Sequence, residues 1–129
     1  MTHLLDTDVC ITVLRGRDPR ARARLQKLPG AAISTVTVAE LAYGAARSSA
    51  PEANQVEVRR LTAALRVIEL DADAAWHAGQ IRSDLAKRGT PIGGYDVLIA
   101  GVARSRDLTL VTGNVREFRQ VPNLRVEKW

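Results

Sequence analysis

Leu4-Leu5-Asp6-Thr7-Asp8 sets two carboxylates directly behind a short apolar run. A run this brief, closed by polar residues, reads as a buried strand, here from His3 to Thr7. Thr7 or Asp8 can cap a helix that runs on to about Leu14. That leaves Asp6 at the C-terminal end of the strand, free for other work. In an open α/β sheet this edge faces the ligand crevice. Three more stretches repeat the theme. Thr37-Val38-Ala39-Glu40-Leu41 and Gly94-Tyr95-Asp96-Val97-Leu98-Ile99 each open a helical pattern with a carboxylate. Leu110-Val111-Thr112-Gly113-Asn114 closes a second apolar run with a hydroxyl and an amide.

The rest of the chain alternates in the same way. Pro19 suits the first turn of a helix to about Leu28, and Pro29-Gly30 stops it. Ala31 to Ser34 is a second strand. Helices follow from Thr37 to about Ser48 and from Glu52 to Leu65, joined by a turn at Ser48–Pro51. Val67 to Leu70 is a third strand, and Asp71 caps a helix to about Arg88. On that helix Ala74, Ala78, Ile81 and Leu85 form one apolar face. A loop from Gly89 to Gly94 leads into a helix from Tyr95 to Ser105. Thr109 to Thr112 and Leu124 to Glu127 complete five short strands. Strands alternating with helices predict a small parallel sheet with helices on both faces.

Composition narrows the chemistry. The chain has 129 residues and one cysteine, Cys10, so no internal disulfide framework exists. No run approaches the roughly 20 apolar residues of a spanning helix, and the N-terminus lacks a signal-peptide pattern. These features suit a cytoplasmic protein. The net charge is +5, carried mostly by arginine, with Arg15, Arg17, Arg20, Arg22 and Arg24 close together. A basic surface favours a polyanion. His77 has no second ligand at zinc-like spacing, so the candidate ligands are hard oxygens, which suit Mg²⁺ or Mn²⁺.

Each candidate also has a purely structural reading. Thr37-x-x-Glu40 has the form of a capping box and, taken alone, reads as one. Asp96 gains from the helix dipole, yet it stands between the Gly93-Gly94 pair and an apolar helix, which points to a site. Gly113-Asn114 can form a turn, since both residues tolerate positive φ. Asp84 and Arg88 have the spacing of a surface ion pair. Trp76 and Trp129 read as packing or interface residues.

Taken in order, these segments resemble the PIN-domain ribonucleases, in particular the toxin half of virulence-associated-protein (VapBC) pairs. The matching stretches are Leu4–Asp8, Thr35–Gly44, Gly89–Ala100, Leu108–Phe118 and the tail Val121–Trp129. They make residues 1–129 a single PIN domain. The resemblance implies that Asp6, Glu40 and Asp96 are the metal-site acids. Two positions depart from the pattern: Asp8 stands where many members have Asn or Ser, and Asn114 where the fourth acid is often Asp. The implied reaction is Mg²⁺-dependent (or Mn²⁺-dependent) endonucleolytic hydrolysis of RNA. Asp6 and Asp96 would hold the metal, and Glu40 would ligate it or orient a water. Thr112 and Asn114 would position a water or a phosphate oxygen, and Arg116 and Arg119 would touch the RNA backbone. The resemblance also implies a cognate antitoxin, a homodimer, and contact with DNA only through the antitoxin. The apolar helices from Thr37 to Leu65 offer surface for both protein contacts.

Two other readings fit parts of the sequence. Asp6-x-Asp8 behind a strand is similar to the nucleophile motif of haloacid-dehalogenase-type phosphohydrolases, although Cys10 departs from it. Asn114 is also compatible with a degenerate site, and then with a binding module that acts on DNA beside its antitoxin.

Overall fold

Leu4 and Leu5 are both almost fully buried, but against different partners. Leu4 packs with Ile81, Leu85, Ile99 and Phe118. Leu5 packs with Val9, Cys10, Leu41 and Val111. Successive strand residues point to opposite faces, so this strand is covered on both. The computed structural model describes residues 2–16 and 18–129; Arg17, one of the clustered arginines, lies outside them.

The elements run β1 (His3–Leu5), α1 (Thr7–Arg15), α2 (Pro19–Gln26), β2 (Ala31–Ser34), α3 (Thr35–Ala46) and α4 (Pro51–Ala64). They continue with β3 (Arg66–Ile68), α5 (Ala72–Lys87), α6 (Gly94–Ser105), β4 (Thr109–Thr112), α7 (Val115–Phe118) and β5 (Val126–Lys128). The five strands form one sheet in the order β3-β2-β1-β4-β5, and every pairing is parallel. The expected α/β architecture is therefore present. Helices α5 and α6 cover the Leu4 side. Helices α1, α3 and α4 cover the Leu5 side. The chain runs outward from β1 through β2 to β3, then crosses back to β4 on the other side of β1. This reversal is the topological switch point, where such sheets open a crevice at their C-terminal edge.

Several expected boundaries move, for identifiable reasons. β1 ends at Leu5, because Asp6 itself is the N-cap of α1 and accepts from the Thr7 N–H at 2.8 Å. Neither Thr7 nor Asp8 caps. α3 begins at Thr35, two residues early, because Ser34 Oγ accepts from the Thr37 N–H at 3.1 Å. Thr37 and Glu40 therefore form no capping box. β3 and β5 are displaced from the expected Val67–Leu70 and Leu124–Glu127 because register with β2 and β4 selects which residues pair. The Gly113-Asn114 segment takes no left-handed turn, and Asn114 instead opens α7, a short helix that the sequence reading lacked. Asp84 and Arg88 do not pair, since Arg88 donates to the Gln120 carbonyl at 3.2 Å. No helix among the described residues is long and apolar enough to cross a membrane.

Candidate active site

Asp6 leaves β1 beside β4, and both carboxylate oxygens are engaged. Oδ1 caps α1, and Oδ2 accepts from Thr112 Oγ1 at 2.7 Å. The Thr112 hydroxyl also accepts from the Asn114 N–H at 2.9 Å. Thr112 therefore ties the end of β4 to Asp6, and its hydroxyl is committed to holding a carboxylate rather than turned toward a phosphate. Asp6 is 4% exposed. Burial pushes its carboxyl up to about 7, with Asp8 and Asp96 adding repulsion against the hydrogen bonds from Thr112 and Thr7.

Glu40 reaches the same edge from α3. Its Oε1 accepts from Thr7 Oγ1 at 2.7 Å. Behind it runs a line of buried hydroxyls: Ser34 Oγ donates to Thr37 Oγ1 at 3.4 Å, and Thr37 and Thr7 share a 3.0 Å bond. The capping residue expected at Thr37 is thus part of a hydroxyl relay that aims Glu40. Asp96 comes from the first turn of α6, which Gly93 opens without a side-chain cap. Its carboxyl is raised by burial first, then by Glu40, Glu117 and Asp8.

The structure thus gathers Asp6, Glu40 and Asp96, and adds two acids. Asp8, left undecided by its sequence position, accepts from the Gly113 N–H at 3.1 Å. Glu117 was missed altogether. Asn114 Nδ2 donates to its Oε2 at 2.9 Å, so Asn114 positions a carboxylate where the sequence had shown only an amide. The available signal was the spacing: Asn114 and Glu117 stand three apart, neighbours on a helix. Asp84 lies elsewhere, on the outer face of α5 beside Trp76, Gln80 and Lys87. Arg116 and Arg119 form no ion pair with these acids and line a cleft with Gly113, Asn114 and Lys128.

None of the five acids forms an ion pair with a described cation. Among the described residues, no three acidic, histidine or cysteine groups already close around one point at ligating distance. The cluster is a set of mutually repelling oxygens lacking a positive charge. Hard oxygen donors of this kind suit a divalent cation. Cys10 takes no part; burial pushes its thiol up to about 12.

Fold and site together define a parallel α/β protein whose switch-point crevice carries an all-oxygen acidic centre. The sequence matches the PIN domain over residues 3–124. The chain belongs to the PIN-domain family, among its VapC ribonucleases. It is 44% identical over 130 residues to the tRNA(fMet)-specific endonuclease VapC of Salmonella typhimurium, covering 100% of this chain and 98% of the relative. Two solved structures match it over 100% of its length. One is a DNA-bound VapBC from Salmonella typhimurium, with TM-score 0.95, 43% identity and 98% of that chain covered. The other is VapBC2 from Rickettsia felis bound to a promoter DNA fragment, with TM-score 0.94, 33% identity and 99% covered.

Proposed function

We propose that this chain is the toxin of a type II toxin–antitoxin pair, an Mg²⁺-dependent endoribonuclease held inactive by a cognate antitoxin. Residues 1–129 act as one PIN domain, in the cytoplasm, as a homodimer. The observation that carries the reading is the unneutralised acid cluster at the switch point of an otherwise basic chain, with Asp6 raised to about 7. Asp6 and Asp96 hold the ion, with Glu40 completing the set, and Mn²⁺ can replace Mg²⁺. When bound, the ion supplies charge neutralisation and Lewis acidity toward the phosphate.

The remaining work belongs to the chain. Thr112 and the α1 cap hold Asp6 in one orientation. The Ser34–Thr37–Thr7 hydroxyls hold Glu40 where it can accept a proton from the attacking water. Asn114 fixes Glu117, which supplies the carboxylate missing at the fourth position. A degenerate site therefore loses its motive. The dehalogenase reading loses its own with the PIN-domain match over residues 3–124. Arg116 and Arg119 contact the RNA backbone.

The Salmonella relative's name, with 44% identity, favours a transfer RNA, tRNA(fMet), as substrate. The VapBC structures favour an antitoxin partner, through which the complex reaches DNA. A groove of about 440 Å³ between α1, α3 and α4 suits that partner, because its lining runs from Ile11 and Leu14 to Glu40 itself.

The test is cleavage of total RNA and of tRNA(fMet) by antitoxin-free protein in Mg²⁺, Mn²⁺ or EDTA, with end mapping. Discrete cuts are expected with either metal and none in EDTA. Asp6→Ala and Asp96→Asn should each lose at least about 100-fold in rate while remaining folded. Cleavage by Asp96→Asn at the wild-type rate would sink the assignment.

A further inference from the structure

Helix α7 sorts charge. Glu117 is tied to Asn114 on the acid side. Arg116 and Arg119, three residues apart and so on one face, line a cleft of about 530 Å³ with Gly113, Asn114, Val115 and Lys128. The lining holds three cations and no acid. Among the described residues none of the three has a carboxylate partner, whereas Arg20, Arg60, Arg106 and Arg125 all do.

Lys128 is the element that sequence reading did not supply. It pairs in register with Thr112, the residue that holds Asp6. Its main chain is fixed on both sides. The Trp129 N–H donates to the Thr112 carbonyl at 3.0 Å, and Arg24 donates to the Lys128 carbonyl at 2.8 Å. The same Arg24 guanidinium stands 4.7 Å from the centre of the Trp129 ring. An anchored strand end thus presents an ammonium beside a pair of guanidiniums, one strand away from the acid site.

We infer that Lys128 joins Arg116 and Arg119 in a phosphate subsite that holds the RNA strand next to the scissile phosphate and leads it out over β5. The inference rests on the ribonuclease reading. Carboxylates repel the strand at the centre, so an adjoining cationic cleft is where backbone phosphates gain most.

The test combines anisotropy of 5′-labelled tRNA(fMet) in EDTA with steady-state cleavage in Mg²⁺. At 0.1 M salt Lys128→Ala should bind about fivefold more weakly, and its log–log salt slope should be shallower by about 0.7. KM should rise while kcat stays within about twofold, as expected for lost uniform binding. Lys128→Arg should restore affinity. Lys87→Ala, the same charge change on the far face of α5, should match wild type. The subsite is overturned if Lys128→Ala and Lys87→Ala behave alike, or if wild type binds no RNA in a salt-dependent way. Cleavage that needs Asp6 but ignores Lys128 would remove the subsite and leave the nuclease. Binding that needs Lys128 without any cleavage would do the reverse.

Discussion

Asp6 caps a helix, anchors a neighbouring strand and stands in a cluster of like charges. These duties have a thermodynamic consequence. Its carboxyl is raised from 3.8 to about 7 in the fold, chiefly by burial. The folded protein therefore holds a proton that the unfolded chain releases above about pH 4, so the contribution of Asp6 to stability is fully present below that pH and is lost as pH rises toward 7. Asp96, raised in the same direction, adds to the effect. In EDTA, urea denaturation should show stability declining between about pH 4 and pH 7 by a few kcal/mol. Asp6→Asn, which still caps α1, should flatten the decline. A rising or flat wild-type profile would contradict the electrostatics described here. At this scale the sequence marked Asp6 and Asp96 by their places at element ends, and Glu40 only through the family resemblance. It did not reveal Glu117, whose role depends on Asn114 holding it, nor the hydroxyl line behind Glu40, whose members Thr7 and Thr37 lie thirty residues apart.

Helices α5 and α6 pack so closely that one residue has no room for a side chain. A Cβ on Gly101 would lie 2.6 Å from the Ala74 carbonyl oxygen and 2.8 Å from Ala78 Cβ. Helix propensity alone makes Gly→Ala stabilising by about 1 kcal/mol. The contact reverses the sign, and Gly101→Ala should destabilise by about 1–3 kcal/mol in urea titration. Because α6 carries Asp96 in its first turn, cleavage should fall as well. A stabilised variant would show that the two helices can separate without cost. The stripe Ala74, Ala78, Ile81 and Leu85 was legible because a helical period survives any tertiary setting, and all four are buried. Helix starts were less legible. Ser34 and Thr37 are both competent caps, and only the path of the chain out of β2 chose between them.

Across the whole molecule, a chain of net charge +5 gathers an acidic edge at its switch point, with the Arg116, Arg119 and Lys128 cleft beside it. The acid edge should make folding stability depend on divalent cations. Mg²⁺ at about 100 times its dissociation constant adds about 2.7 kcal/mol, enough to raise Tm by several degrees in a thermal melt. Asp6→Ala and Asp96→Asn should lose that rise, while Lys87→Ala should keep it. A wild-type Tm that ignores Mg²⁺ would argue against a resident ion. By itself the sequence determined the α/β class, the five strands and helices α1 to α6 in order, the basic balance and the candidate acids Asp6 and Asp96 at element ends. These are local properties, set by hydrophobic period, turn chemistry and residue type. Only the tertiary structure decided the β3-β2-β1-β4-β5 order and the acids' common edge. It also set Asp6 as a cap, Glu117 as a fifth acid and Lys128 beside Thr112. Each of those depends on which strand lies next to which, and strand neighbours are chosen by burying both faces of the sheet at once, a condition no single segment carries.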